Sequence, residues 1–510
     1  MIASIPSAVL LGVDGIPVSV EVHVANGLPG MTMVGLPDTA VRESRDRVRA
    51  ALVSSGLPWP RRRVTVNLAP GGMRKAGSGL DLPVAIGLLV ASGVLAAEAV
   101  EGYGFVGELG LDGTIRSVPG TLALVDALAD RRVVVADAGL AEARLATGTC
   151  RSAPALAELV ARCTGRRPWV DPPELGEAVG PSGPEASGTV PDLSDVLGQP
   201  IARRALELAA AGGHHLLLVG PPGAGKTLLA ERLPGLLPDL DPSVSREVTR
   251  IHSVAGADRP TSGLVRRPPF RAPHHGVSSV ALVGGGNAAL RPGEIGLAHG
   301  GVLFLDELGE FPTAVLDALR QPLEDGVVRV SRARGSVVQP ARFLLVAAMN
   351  PCPCGDGGIP GSCRCAPAAR ARYARRLSGP LLDRFDLVVR VDRPQVSDLV
   401  AAVPGEATTV VAARVASART MAAARGVACN ALLASGSLDD AAPLDGAART
   451  LLERHLRSGA LSARGLHRVR RLARTVADLD GGGPSVGASH VSEALFLRGS
   501  RALVLGEEVR

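Results

Sequence analysis

The residues best placed to do chemistry in this chain are a lysine, a threonine and two adjacent carboxylates. Gly220, Pro221, Pro222, Gly223, Ala224, Gly225, Lys226 and Thr227 form a G-x-x-x-x-G-K-T run directly after the apolar segment Leu216 to Val219. Glycines at that spacing let backbone N–H groups wrap a β-phosphate, and a helix starting at the lysine adds a favourable partial charge. The Lys226 ammonium then neutralises β- and γ-phosphate oxygens of ATP, and the Thr227 hydroxyl ligates Mg2+. Lysine occurs only at positions 75 and 226; every other basic residue apart from histidine is arginine. A lysine kept against that background marks a place where a compact ammonium cannot be exchanged for a planar guanidinium. About eighty residues on, Gly301-Val-Leu-Phe-Leu ends in Asp306 and Glu307. Such a run reads as a buried parallel-type strand whose Asp306 holds Mg2+ through its waters. Glu307 polarises the attacking water, so the pair implies ATP hydrolysis rather than binding alone.

Three further clusters are candidates. Cys352-Pro-Cys354 and Cys363-Arg-Cys365 place four thiols in one short stretch. They suit a tetrahedral, structural Zn2+; their C-x-C pairs are tighter than the usual C-x2-C, and unligated thiols are the alternative. Val327 to Val338 reads as two β-branched runs around a polar turn at Gly335, a hairpin tipped by Arg332 and Arg334. The plain reading is a solvated hairpin. His274 and His275 follow a basic, Pro-punctuated loop. Adjacent side chains on an extended loop point apart, which argues against a shared metal.

The elements that must hold these residues follow from periodicity and punctuation. A chain of 510 residues is long enough for two or three domains. Arg166 to Pro191 is dense in Pro, Gly, Ser and Ala and reads as a linker. Before it, 1–165 alternates strand patterns (Val18 to Val24, and from Arg63) with helical ones (Thr39 to Gly56, and from Asp81), giving an α/β or α+β domain. After it, 192–397 carries the phosphate loop and its strands, and 398–510 reads as helical, with an Ala-rich stretch from Asp398 to Leu452 and an amphipathic helix after Ser462. The net charge of +6, from 55 basic against 49 acidic residues, permits an anionic partner without demanding one. The first Arg or Lys is Arg42, so no secretory signal is expected. The longest uncharged apolar stretch, Leu82 to Ala97, falls short of the roughly 20 residues that span a bilayer. With scattered cysteines that suit a reducing compartment, no membrane contact and a cytoplasmic location are expected.

Three more segments carry a family resemblance. Phe343 to Met349 is an apolar strand ending in Asn350; Leu377-Ser-Gly-Pro-Leu-Leu-Asp-Arg384 and Leu461-Ser-Ala-Arg464 follow. On these the chain resembles AAA+ ATPases of the magnesium-chelatase and MCM-helicase branch. The resemblance implies that Asn350 orients the lytic water as sensor 1, that Arg384 is an arginine finger reaching the neighbouring subunit's ATP, and that Arg464 is sensor 2 on the γ-phosphate. The Val327 to Val338 segment resembles the hairpin that these ring ATPases point into their channel, which implies that Arg332 and Arg334 bind nucleic-acid phosphates without reading sequence. Val66-Asn-Leu-Ala-Pro70, Lys75-Ala-Gly-Ser78, Asp81-Leu-Pro-Val-Ala, Gly107-Glu-Leu-Gly-Leu-Asp-Gly113, Phe270-Arg-Ala-Pro-His-His275 and Asn350-Pro-Cys-Pro-Cys354 narrow it to the ComM/YifB family over almost the whole chain.

That family implies a Lon-protease-like N-terminal domain, an AAA+ core with a parallel sheet and a C-terminal helical lid. It also implies a homo-oligomeric ring, usually of six, driving branch migration on single-stranded or branched DNA, with recombination proteins as candidate partners. Proteolysis is not expected: Lon proteins supply their lysine from a later segment, and Gly107 to Leu128 contains none. The competing functions are an ATPase subunit of a magnesium chelatase, whose motor motifs are similar but which lacks the N-terminal domain, and a remodeller of protein complexes using that domain as adaptor.

Overall fold

The structure is a computed structural model describing residues 1–73, 75, 77–146, 148–170, 191–256, 263–286, 290–332, 335–356, 363–377 and 379–499. The chain opens on a strand, Ile2–Leu11, that the sequence reading did not anticipate. It turns through Gly12, at φ +65°, into Asp14–Ala25, and the two pair antiparallel along their length. Arg63–Ala69 joins antiparallel and Gly30–Val34 parallel, completing a four-stranded sheet. Asp38 caps the Thr39–Ser54 helix by accepting a hydrogen bond from the Val41 amide. The Asp81–Ala91 helix is buried at every residue and lies against this sheet. The apolar run expected to continue to Ala97 stops at Ser92, because Gly93 takes a left-handed φ of +74°. A second, parallel sheet of Tyr103–Phe105, Arg132–Ala136 and Thr149–Ala153 completes this α/β region.

Residues 171–190 of the expected linker lie outside the described residues. Beyond them is a five-stranded parallel sheet in the order Phe270–Arg271, Val302–Leu305, Leu344–Met349, Leu216–Val219, Leu387–Arg390. Its central strands read as continuous apolar runs because both faces are covered. Leu216, Leu218, Phe304, Val346 and Ala348 point into one core with the Pro200–Gly212 helix. Leu217, Val219, Leu303, Leu305 and Leu345 point into the other, against Phe311 and Val315. The C-terminal helices Thr408–Ala424, Gly446–Arg457, Ala463–Leu479 and Ala488–Leu497 share the first of these cores. The helical expectation for Asp398 to Leu452 is only partly met. The Thr408–Ala424 helix ends before Gly426, at φ +80°, and only short turns fill the span up to Gly446. Ala-rich composition supplies helix propensity there, but Gly and Pro break the run.

The N-terminal region docks on the region of the five-stranded sheet through the Pro242–Ala255 helix. Val13 packs with Ile251 and Leu297, Arg250 pairs with Asp14 at 3.2 Å, and the Gly120 amide donates to the Ser253 carbonyl at 3.1 Å. Ser253 also donates to the buried carboxylate of Glu142. None of these pairings has a local sequence signal.

His215 ties the strand before the phosphate loop to its neighbours. Its Nδ1 accepts from the Leu345 amide at 3.0 Å, which requires a neutral ring. Burial lowers its pKa to about 4 from the ordinary 6.5. Between those values the unfolded chain binds a proton that the native state refuses, so stability is constant above about pH 6.5 and falls as the pH drops towards 4. The loss is expected to reach at most about 3 kcal/mol, less for the part of the ring that water reaches. Thermal unfolding of wild type against His215→Gln from pH 7 to pH 4 checks this: the wild-type slope in that window should be steeper.

Candidate functional site

The three central strands of the five-stranded parallel sheet, ending side by side, build the site. Val219 faces Met349 and Leu305 faces Ala347 in the ladder. Gly220, Asp306 and Asn350 therefore leave the sheet as neighbours, in the crevice outside the carboxyl ends where open α/β sheets bind ligands. The helix after the loop begins at Lys226, as its sequence predicts. Gly223 and Gly225 take φ of +76° and +88°, conformations that favour glycine, and a side-chain carbon at Gly223 would meet nothing within 4 Å. The loop is thus an open cradle lined by backbone.

Inside it the buried Lys226 ammonium donates to the Gly220 and Pro221 carbonyls at 2.8 and 2.9 Å and to Asn350 Oδ1 at 3.1 Å. Burial pulls its pKa below the usual lysine range, while Asp306 and Glu307 act to raise it. Three neutral oxygens surround a cation that a polyphosphate would satisfy better. Thr227 Oγ1 lies 2.7 Å from Asp306 Oδ2. That contact fits a Mg2+ site in which Thr227 would be a ligand and Asp306 would hold the ion through its waters. Thr227 and Asp306 are the residues that would hold Mg2+, which would supply positive charge beside the phosphates.

Glu307 leaves this cluster in another direction. It is a non-glycine residue at φ +52°, and its amide donates to Asp306 Oδ1 at 2.9 Å. Its exposed carboxylate lies 3.3 Å from His275 Nδ1. The expectation that the His274 and His275 side chains point apart is not met. Val277 donates to the His274 carbonyl, closing a turn, and the two rings lie 3.9 Å apart rather than splayed. The sequence signal for a turn was Gly276, whose amide donates to His274 Nδ1.

Arg384 and Arg464 come together, but not at the phosphate loop of their own chain. With Arg468, Arg471, His467, Leu323 and Glu324 they line a cavity of about 480 Å3 that contains no residue of Gly220 to Thr227. Arg384 pairs with Glu324, and among the described residues its buried Nε has no hydrogen-bond partner, nor has His467 Nδ1. Burial, then the charges of Arg468, Arg464 and Arg320, lower the Arg384 pKa, and Glu324 is the one carboxylate among the described lining residues. Two residues on, Asp386 fixes this segment. Burial acts to raise its pKa, but His214 and Arg468 outweigh that and hold it at about 2.

The other predicted residues fall in three places. The hairpin forms from Val327–Arg332 and Gly335–Pro340, paired antiparallel in register. Arg334 and the side chain of Arg332 lie outside the described residues. Cys352, Cys354, Cys363 and Cys365 bring one sulfur each within 4.8 Å of the others. In the N-terminal region, Ser78 donates to Glu108 and Lys75 to the Pro70 carbonyl, so the two side chains serve different partners.

Comparison with known proteins agrees with this layout. A family model described as magnesium chelatase, subunit ChlI, matches residues 192–399, and its C-terminal counterpart matches 405–498. A third, described as subunit ChlI of Mg-chelatase, matches 20–138, so chelatase-type likeness is not confined to the region of the phosphate loop. The extent of alignment separates the relatives. The chain is 44% identical to the YifB protein of Escherichia coli over 97% of its own length and 96% of that protein. It is 42% identical to competence protein ComM of Haemophilus influenzae over 99% and 98%. Identity to the magnesium-chelatase 38 kDa subunit of Rhodobacter capsulatus is 31%, over only 33% of this chain and 53% of that subunit. With near-complete matches on one side and partial ones on the other, the chain belongs to the ComM/YifB family of magnesium-chelatase-like AAA+ ATPases.

Proposed function

We propose that this protein is an ATP-driven ring motor that moves branched or single-stranded DNA, completing each ATP site with arginines donated by the adjacent subunit. The observation that carries the reading is the separation within one chain of Lys226, Thr227, Asp306 and Asn350 from the arginine-lined cavity around Arg384 and Arg464. Lys226 and the loop amides hold the phosphates, and Thr227 and Asp306 hold Mg2+. Asn350 and Glu307 place and polarise water, and the arginines of a second copy neutralise the charge that develops on the γ-phosphate. A homo-oligomer, with six members the expected number, follows from that division of labour. Arg464 then serves a neighbour's nucleotide beside Arg384.

DNA enters this reading through the Val327–Pro340 hairpin, the basic tip expected there, and the name of the relative called a competence protein. The N-terminal region, with a Lon-protease-like fold in this reading, packs on the Pro242–Ala255 helix, and Gly12 of its first turn faces Val337 of the hairpin. It is suited to assembly rather than proteolysis. No helix among the described residues is long and apolar enough to cross a membrane, in keeping with a cytoplasmic site of action. Recombination proteins are the partners such an activity would meet.

ATP-dependent migration of a synthetic three-strand junction, with Lys226→Ala as control, tests the function. Migration by wild type alone supports it; ATPase activity stimulated by a porphyrin-binding subunit and not by DNA would instead favour chelation, the reading suggested by the partial Rhodobacter match. Arg332→Ala/Arg334→Ala is expected to weaken DNA binding and flatten its salt dependence by about two charges while basal ATPase persists. Unchanged binding in a salt titration would remove the hairpin from the DNA path.

A further inference from the structure

We infer that Cys352, Cys354, Cys363 and Cys365 hold a structural Zn2+ that braces Asn350 against the phosphate loop, so that metal occupancy sets the rate of ATP hydrolysis. The sulfur positions fit the ion. Cys352 Sγ lies 3.3 Å from Cys354 Sγ and 3.7 Å from Cys363 Sγ, and Cys354 and Cys363 are 3.8 Å apart. Four thiolates around Zn2+ at about 2.3 Å form a tetrahedron with edges of about 3.8 Å, whereas a disulfide needs about 2.0 Å. None of the four forms a disulfide among the described residues. The first pair is brought round by a turn in which the Gly355 amide donates to the Cys352 carbonyl at 2.9 Å, with Gly355 at φ +86°.

The cluster is attached to the nucleotide site at three points. Cys352 follows Asn350 by two residues, and Asn350 Oδ1 accepts from Lys226. Gly355 lies on the loop itself: a side-chain carbon there would come within 2.5 Å of Pro222 Cδ. From the other end, Cys365 leads into the Pro367–Arg376 helix, whose buried Tyr373 donates to the Asn350 carbonyl at 3.1 Å. The Tyr373 ring also lies where a side chain at Gly309 would be, two residues past Glu307. Four thiolates leave no position for water, so the ion closes a covalent-like staple across residues that reach Lys226, Pro222, Asn350 and Gly309 and takes no part in the reaction. Without it the segment after Asn350 loses its anchor, and a misplacement on the order of 1 Å at a water-orienting group costs about 10- to 100-fold in rate.

The effect on rate rests on the ATPase reading above; the metal site does not. Full-length protein purified without added metal should contain about one zinc per chain by elemental analysis. Cobalt(II) exchanged into it should show the visible absorption of a tetrahedral thiolate site. Cys363→Ser/Cys365→Ser should lose both signals, and Cys163→Ser neither. In the double variant kcat should fall about 10- to 100-fold with ATP affinity retained, and wild type stripped of zinc in excess Mg2+ should regain its rate when zinc is restored. Zinc-free wild type of full activity, or zinc kept by the double variant, would overturn the site. Loss of zinc with kcat unchanged would overturn the brace. Wild type that carries zinc but hydrolyses no ATP would refute the motor reading and leave the metal site standing.

Discussion

Arg384→Ala is expected to lower kcat for ATP hydrolysis by about 10³- to 10⁵-fold while leaving ATP affinity nearly unchanged, the range found when a guanidinium supplied to a phosphoryl-transfer site is removed. The affinity is spared because the groups that hold phosphate and Mg2+, from Gly220 to Thr227 and Asp306, lie in a different part of the same chain. The rate is expected to be lost because, in the proposed ring, Arg384 would meet only the γ-phosphate charge that grows towards the transition state. Its side chain is prepared for such a partner: it is largely buried, its Nε is unpartnered among the described residues and neighbouring arginines repel it. Glu324 holds it in the isolated chain, and an incoming triphosphate with Mg2+ would have to displace that carboxylate. Steady-state kcat and KM, with nucleotide affinity measured separately, check the split. A large rise in Kd with kcat preserved would place Arg384 in ground-state binding instead.

Lys226→Ala is expected to abolish measurable turnover by removing both affinity and rate, and Lys226→Arg is expected to fail nearly as badly. The Lys226 ammonium points its protons at three oxygens 2.8 to 3.1 Å away in a buried pocket closed by Gly220, Pro221 and Asn350. A planar guanidinium is larger and presents its donors in a fixed fork, so it cannot enter that space in the same way. Loss of one preorganised electrostatic contact of this kind costs about 10² to 10³ in kcat, and the vacated site weakens binding further. Nucleotide binding by fluorescence and phosphate release assays on both variants distinguish the two losses. Lys226→Arg with near-native turnover would contradict the geometric argument.

Much of this site was legible because its parts are local. The phosphate loop carries its strand, its glycines and its helix start within a few residues, and the strands ending at Asp306 and Asn350 are unbroken apolar runs. The four cysteines were legible for the same reason, although only folding shows that Gly355 and Tyr373 tie them to the loop. What escaped depends on contacts between distant segments. His275 reaches Glu307 because strand Phe270–Arg271 lies beside Val302–Leu305, a pairing with little local signal in a two-residue strand. Arg384 and Arg464 are eighty residues apart and meet only when the Ala463–Leu479 helix packs on the core. The docking of Val13 on Ile251 joins two regions that read as independent domains. In the N-terminal region, alternation in Ile2–Leu11 was diluted by Ser4, Pro6 and Ser7, the last of which is buried and donates to the Phe105 carbonyl at 2.8 Å.

Mixing two inactive variants tests most directly whether catalysis is shared between chains. Arg384→Ala keeps Glu307 but cannot donate its guanidinium, and Glu307→Gln keeps Arg384 but cannot polarise water. In rings formed at random from equal amounts, about a quarter of the interfaces pair an intact Glu307 with an intact Arg384. The account predicts that the mixture regains ATPase activity, up to about that fraction of the wild-type rate, while each variant alone stays inactive. A mixture that co-assembles by size-exclusion chromatography but hydrolyses no more ATP than its parts would contradict it.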